Sequence, residues 1–179
     1  SIGTGGTTLT FSVAGLASGT ETEGVTTNIT TTATTIPFGT LSEGAPKVGG
    51  QRFTITTNAS DGYHIFVKQN QAMINSSYGA VTIAGVVGTN AAPAAWGFAH
   101  GAAGAYGYHA GDDSLAGGST RFSVNDTHAQ LEDTAREVAY SGGPVAGEAI
   151  DIVYKIEIMG QQNSGNYNGN LEYIIVPTY

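Results

Sequence analysis

The side chains with the widest chemical reach are the histidines His64, His100, His109 and His128. A zinc site needs several converging ligands, and neither H-x-x-x-H nor H-E-x-x-H spacing occurs. They read as solvated or packed groups, and neither a metal nor a cofactor is expected. Asp112-Asp113-Ser114, in a Gly-rich stretch, offers oxygens to a calcium ion. Calcium takes about six to eight of them, however, and one acidic pair is first of all a turn. No G-x-S-x-G, no P-loop and no G-x-G-x-x-G after a strand supports nucleophilic or nucleotide chemistry. Glu132, Asp133, Glu148, Asp151 and Glu157 fall in polar segments or on a polar strand face, where solvated surface is the default over a glycosidase pair. No enzymatic activity is expected.

Two further groups concern binding and modification. Trp96, Phe98, Tyr106 and Tyr108 cluster in the sequence and could stack on sugar rings, although aromatics in a small sandwich more often anchor cores and loops. Asn28, Asn58, Asn75 and Asn125 each open an N-x-S/T sequon. A glycan must point into solvent, so Asn58, Asn75 and Asn125, in or beside predicted turns, are expected acceptors before Asn28, in mid-strand.

Composition narrows the class. The chain has 179 residues, 27 of them Gly, abundant Thr and only 11% charged residues, which favours strands and turns over helices. Its net charge of −8, with only six basic residues, leaves no cationic surface for nucleic acid or anionic lipid. No apolar run approaches the roughly 20 residues of a membrane span, so no membrane insertion is expected. Without cysteine, stability must come from packing or assembly. The opening Ser1 and the sequons lead us to expect a processed, extracellular, cell-surface protein.

The element that would position everything else is 150–159. Ile150, Ile152, Tyr154, Ile156 and Ile158 share one face at a two-residue period, while Asp151, Lys155 and Glu157 share the other. That pattern predicts a half-buried antiparallel strand with a wet outer face. Upstream, Leu9, Phe11 and Val13 alternate with polar residues behind a Gly-rich leader, and 15–24 reads as a polar linker. Further strands are expected over 25–36, 52–57, 63–68, 80–87, 120–124 and 166–176. Asn58–Gly62 is expected to close 52–57 and 63–68 into a hairpin. Residues 90–118 read as a long excursion with short strands in it. Thr127-x-x-Gln130, followed by Leu131, Ala135 and Val138, suggests either a short capped helix or a ragged strand pair. The resulting expectation is an all-β, two-sheet antiparallel sandwich of immunoglobulin-like or jelly-roll kind, with about nine or ten strands. Residues 25–179 form its body and 1–24 an extension carrying a strand at 7–15.

Two segments resemble something known. Thr35-Ile-Pro-Phe38-Gly39-Thr40 lies ahead of a strand and a Gly-Tyr63 return strand, and the chain closes on Gly165-Asn-Tyr167-x-Gly-x-Leu-x-Tyr173. These resemble spore coat protein U and the chaperone–usher pilins, and the layout is similar to other secreted β-sandwich surface-fibre subunits. The resemblance implies an incomplete sandwich whose groove takes an extended segment from the next subunit. The chain departs from those pilins in lacking their cysteine pair and in its larger insertion at 90–118.

The functional expectation is a secreted structural subunit of an extracellular filament or pilus, a homopolymer. Its subunits would assemble head to tail as Leu9, Phe11 and Val13 of one fill a neighbour. The alternative is a monomeric surface module that binds carbohydrate, or an adhesin, through the aromatic cluster.

Overall fold

The alternating stretch 150–159 does become the longest strand, and the rest of the chain is arranged around it. The computed structural model of the protein describes residues 6–99, 103–116 and 120–179, the side chains of Phe98 and Ala99 excepted. Its strands are β1 (Leu9–Gly15), β2 (Glu21–Thr22), β3 (Val25–Thr26), β4 (Lys47–Thr57), β5 (Tyr63–Asn75) and β6 (Ala94–Ala95). After a single helical turn, α1 (Trp96–Ala99), come β7 (Gly104–Ala110), β8 (Thr127–His128), β9 (Arg136–Ser141), β10 (Val145–Ile158) and β11 (Tyr167–Pro177). The chain is an all-β sandwich. One sheet has the order β1-β4-β10-β7 and the other β11-β5-β9, with every pairing in them antiparallel. The facing side chains of the two sheets, among them Phe53, Ile55, Tyr108, Ile150, Ile152 and Tyr154 on one and Tyr63, Ile65, Val67 and Val138 on the other, fuse into a single core.

The segment 58–62 is a turn, but it does not close a hairpin. β4 pairs with β1 and β10, whereas β5 pairs with β11 and β9, so 58–62 is an arch carrying the chain from one sheet to the other. Ala59 is buried beneath it, and Gly62 (φ 74°) lies so close to the Ser141 backbone that a Cβ would collide. Residues 142–144 form a matching arch between β9 and β10, beside the first.

Three expected strands and one of the two readings of 127–138 are replaced. Residues 80–87 make only single bridges, at Thr82 and Gly85, and 120–124 form turns that bury Phe122 instead of a ladder. No helix follows Thr127. β8 and β9 lie at the two ends of that stretch, and Leu131 and Val138 reach the core from extended backbone. The Thr-rich stretch 25–36 keeps only the two-residue β3, its hydroxyls tying it to the backbone of Leu16, Ala17 and Gly50 in other segments instead of to a ladder. Thr27 Oγ1 donates to Ala17 O (2.7 Å), and Thr31 Oγ1 donates to Gly50 O while accepting from Leu16 N (2.9 Å). These bonds anchor 15–24 as well: Leu16 is buried, its N–H donates to Gly50 O and its carbonyl accepts from Thr31 N.

The outer face of β10 is also not wet. Asp151, Lys155 and Glu157 are only 7–8% exposed. A second layer, made of the β2–β3 hairpin, the turn before β8 and Trp96, covers them and supplies a partner to each. Alternation identifies residues that share a face and is silent on what lies over that face.

Candidate functional site

The two flanks of the sandwich are finished differently. Phe11 on β1 meets Phe53 on β4 (ring centroids 5.5 Å), and Phe53 meets Tyr173 on β11 (4.8 Å), so β1 and β11 lie on the same side of the molecule. Each pairs with a single strand, β1 with β4 and β11 with β5, and among the described residues each leaves its other edge without a strand partner. β1 runs through seven residue pairs, from Leu9↔Thr57 to Gly15↔Gln51. Leu9, Phe11 and Val13 are half-buried against the core, and the intervening Thr10, Ser12 and Ala14 are exposed.

On the opposite flank the edges are capped. β7 is extended by single bridges to Gly85 and Ala129, and Tyr108 and Ala129 exchange both backbone bonds. Along β9, Asp112 Oδ2 accepts from Tyr140 N (2.7 Å) and Asn90 Nδ2 donates to Glu137 O (2.8 Å). Glu137 in turn binds Arg121 Nη2 (2.8 Å), Ala116 N (3.1 Å) and His64 Nδ1 (2.6 Å). Burial holds the Asp112 carboxyl above its usual range, against the pull of the Tyr140 and Ser114 amides it accepts. Both oxygens of Asp112 are thus engaged in backbone capping, and among the described residues no group of three His, Asp or Glu is placed to hold a metal ion.

Below β1, the open flank is spanned by residues 33–41, which leave a cleft of about 1400 Å³ between themselves and the lower halves of β5, β10 and β11. Its polar lining is mainly amide and hydroxyl, including Gln51, Gln69, Asn166 and Tyr106. At its head Tyr154 Oη and Tyr173 Oη meet at 2.5 Å, and Tyr173 donates on to Gln51 Oε1 (2.6 Å). Burial raises both phenols, so they stay neutral donors.

The aromatic cluster offers no common open face. Tyr106, 5% exposed, borders the cleft, and Tyr108 is wholly buried in the main core, where burial pushes its phenol up to about 12. Trp96 lies in the layer over the other face of the sheet and is buried too. The Phe98 side chain and His100 lie outside the described residues.

The sequons also separate. Asn75 is 1% exposed, and its side chain binds Ser77 N, Tyr78 N and Ser164 O, so the folded chain cannot carry sugar there. Turn composition suggested exposure, but here the turn folds back over its own asparagine. Asn28 is exposed with its amide committed to Pro46 O and Val48 N, and Asn58 binds Gly6 O and Thr8 N. Asn125 is exposed, and among the described residues nothing hydrogen-bonds its amide.

Sequence reasoning missed the layer over β10. Arg52 holds Asp151 through Nε (2.7 Å) and Nη2 (2.9 Å), and Thr22 Oγ1 donates to the same carboxylate (2.9 Å). Lys155 Nζ donates to Asp126 Oδ1 (2.8 Å) and lies 5.0 Å from the centre of the Trp96 ring. Trp96 Nε1 donates to Glu157 Oε2 (2.6 Å). His109 and His128, 1% and 0% exposed, sit between these groups with ring centroids 6.1 Å apart. Burial first, and Lys155 second, push His128 down to about 3. The one available signal was the density of charge on the outer face of so long a strand.

Among the described residues no helix is long and apolar enough to cross a membrane. No protein-family model matches the chain, and no curated protein matches it.

Proposed function

We propose that the chain is the structural subunit of an extracellular filament, in which β1 of one copy completes the four-stranded sheet of the next. What carries this is the marginal attachment of β1, an edge strand held by one neighbour and three half-buried side chains. Moved onto β4 of another copy, the strand makes the same ladder and fills the same sites. The balance between the two arrangements then rests on the hinge and on the entropy of association. Residues 17–20, between the buried Leu16 and β2 and with Gly19 at φ 87°, become the hinge once their bonds to Thr27 and Thr30 open. A head-to-tail contact of this kind need not close on itself, and an open one propagates. The free edge of β11 beside β1 supports the reading, since strand edges are where chains add to one another.

Deleting residues 1–15 is the direct test. Electron microscopy of the full chain should show threads with a regular repeat. The truncated chain should remain folded without threads and should bind an added Thr7–Gly15 peptide. Threads from the truncated chain would overturn the proposal.

The cleft favours a second reading, a surface module for a neutral carbohydrate, because its amides and hydroxyls match sugar hydroxyls rather than an anion. A monodisperse monomer whose Tyr106→Ala variant loses affinity in oligosaccharide titrations would decide for it.

A further inference from the structure

The two buried histidines are the least settled polar groups in the molecule. His109 donates from Nδ1 to Thr127 O (2.6 Å), and among the described residues its Nε2 has no hydrogen-bond partner, lying 3.6 Å from Glu23 Oε2. Among the described residues neither nitrogen of His128 has a hydrogen-bond partner within normal distance; Nδ1 is 3.8 Å from Asp126 Oδ1, and the ring packs edge-on to Trp96 (5.0 Å). The charged groups around the pair, among the described residues, are Glu23 from the β2–β3 hairpin, Asp126 from the turn before β8, Arg52 from β4, and Asp151, Lys155 and Glu157 from β10. Asp151 is held by Arg52, Asp126 by Lys155, and Glu157 by Trp96. Glu23 faces His109, whereas a proton on His128 would add a second cation beside Lys155, with Asp126 already paired to that lysine.

We propose that the layer over the four-stranded sheet is an acid-released clasp, in which protonation of the buried His128, packed beside His109, lifts the β2–β3 hairpin and residues 124–128 off β7 and β10. The neutral His128 ring fits the closed layer because it is dry and uncharged. In an opened layer that ring reaches water and takes a proton at ordinary acidity. Each proton bound only by the open form shifts the closed-to-open ratio about tenfold per pH unit, toward open as pH falls. The low proton affinity of buried His128 widens the window over which this acts. The hairpin that lifts also ends the segment leading from β1, through Thr20 N–H and Thr27 Oγ1, so acid loosens the hinge of that strand. This last step rests on the proposed strand exchange; the clasp itself does not.

Hydrogen exchange of the full chain, read as protection factors at pH 7, 6, 5 and 4, tests the clasp. Amides of Thr27, Asp126 and Ala129 should lose protection by about tenfold per pH unit below about pH 6, while those of Ile65 and Val67 in β5 keep theirs. His128→Phe, which fills the site with a ring that cannot take a proton, should flatten the dependence. Uniform loss across both sheets, or no loss, overturns the proposal. If that variant does not fold, NMR titration of the histidine rings in the unmodified chain decides. A His128 ring that takes its proton near pH 6.5, with protection at Asp126 unchanged, overturns it as well. Acid-dependent opening without any acid-promoted threads would retain the clasp and count against the filament.

Discussion

The two flanks of the sandwich solve one problem in opposite ways. On the β7/β9 side every strand edge is met by something, whether a bridge from Gly85 or Ala129, the Asp112 carboxylate or the Asn90 amide. On the β1/β11 side two strands end in unpaired edges with half-buried side chains along them. Natural sheets blunt their edges to prevent association, so under the proposed strand exchange the capped flank is the structural side and the bare flank the side where copies meet. The capped flank should therefore dominate stability and the bare flank should dominate self-association.

The capped flank should break hardest. Asn90 is buried and its amide serves Tyr108 Oη, Glu137 O and Arg121. Asn90→Ala strands a buried hydroxyl and a carbonyl, and urea denaturation should report a loss of about 3 kcal/mol. Acid comes next. The unfolded chain protonates a histidine ring below about pH 6.5, whereas native His128 resists until about 3. Stability is thus fully present above pH 6.5 and falls as pH drops through this window, by about 2 kcal/mol at pH 5, measurable as a lower denaturation midpoint. On the bare flank Phe11→Ala removes a half-buried ring and should cost about 1 kcal/mol in the monomer, with a larger fractional effect on thread formation. The smallest effect sharpens the contrast most. Val176 on β11 is 45% exposed, and Val176→Lys should change stability by less than about 0.5 kcal/mol while sedimentation shows weaker association. If Asn90→Ala proved milder than Phe11→Ala, the division between flanks would fail.

Much of the sandwich was readable because two-residue alternation survives wherever one face meets the core. β1, the second half of β4 and the first half of β5 follow it in burial, and β10 follows it in residue type alone. Which sheet a strand joins was not readable at 58–62, since Asp61-Gly62 suits an arch as well as a hairpin and pairing is settled by partners about a hundred residues away, such as Ile150 opposite Phe53. The Thr-rich stretch misled because strand propensity cannot foresee hydroxyls that bond the backbone of other segments, as Thr27 and Thr31 do. The outer face of β10 misled because Asp151, Lys155 and Glu157 look solvated until Thr22, Asp126 and Trp96 are found above them. For the proposed donor strand, Leu9, Phe11 and Val13 were legible as a strip. The bareness of its edge was not, because an unpaired edge is a property of the whole sheet.

The arches have a kinetic consequence. From β4 onward each long strand is followed by one in the opposite sheet, so neither sheet can form from a contiguous stretch of chain. β4 must wait for β10 and β5 for β11, while their apolar faces remain open. Closing such distant pairs means losing chain entropy before contacts compensate it, which puts folding in the slow regime of milliseconds to seconds.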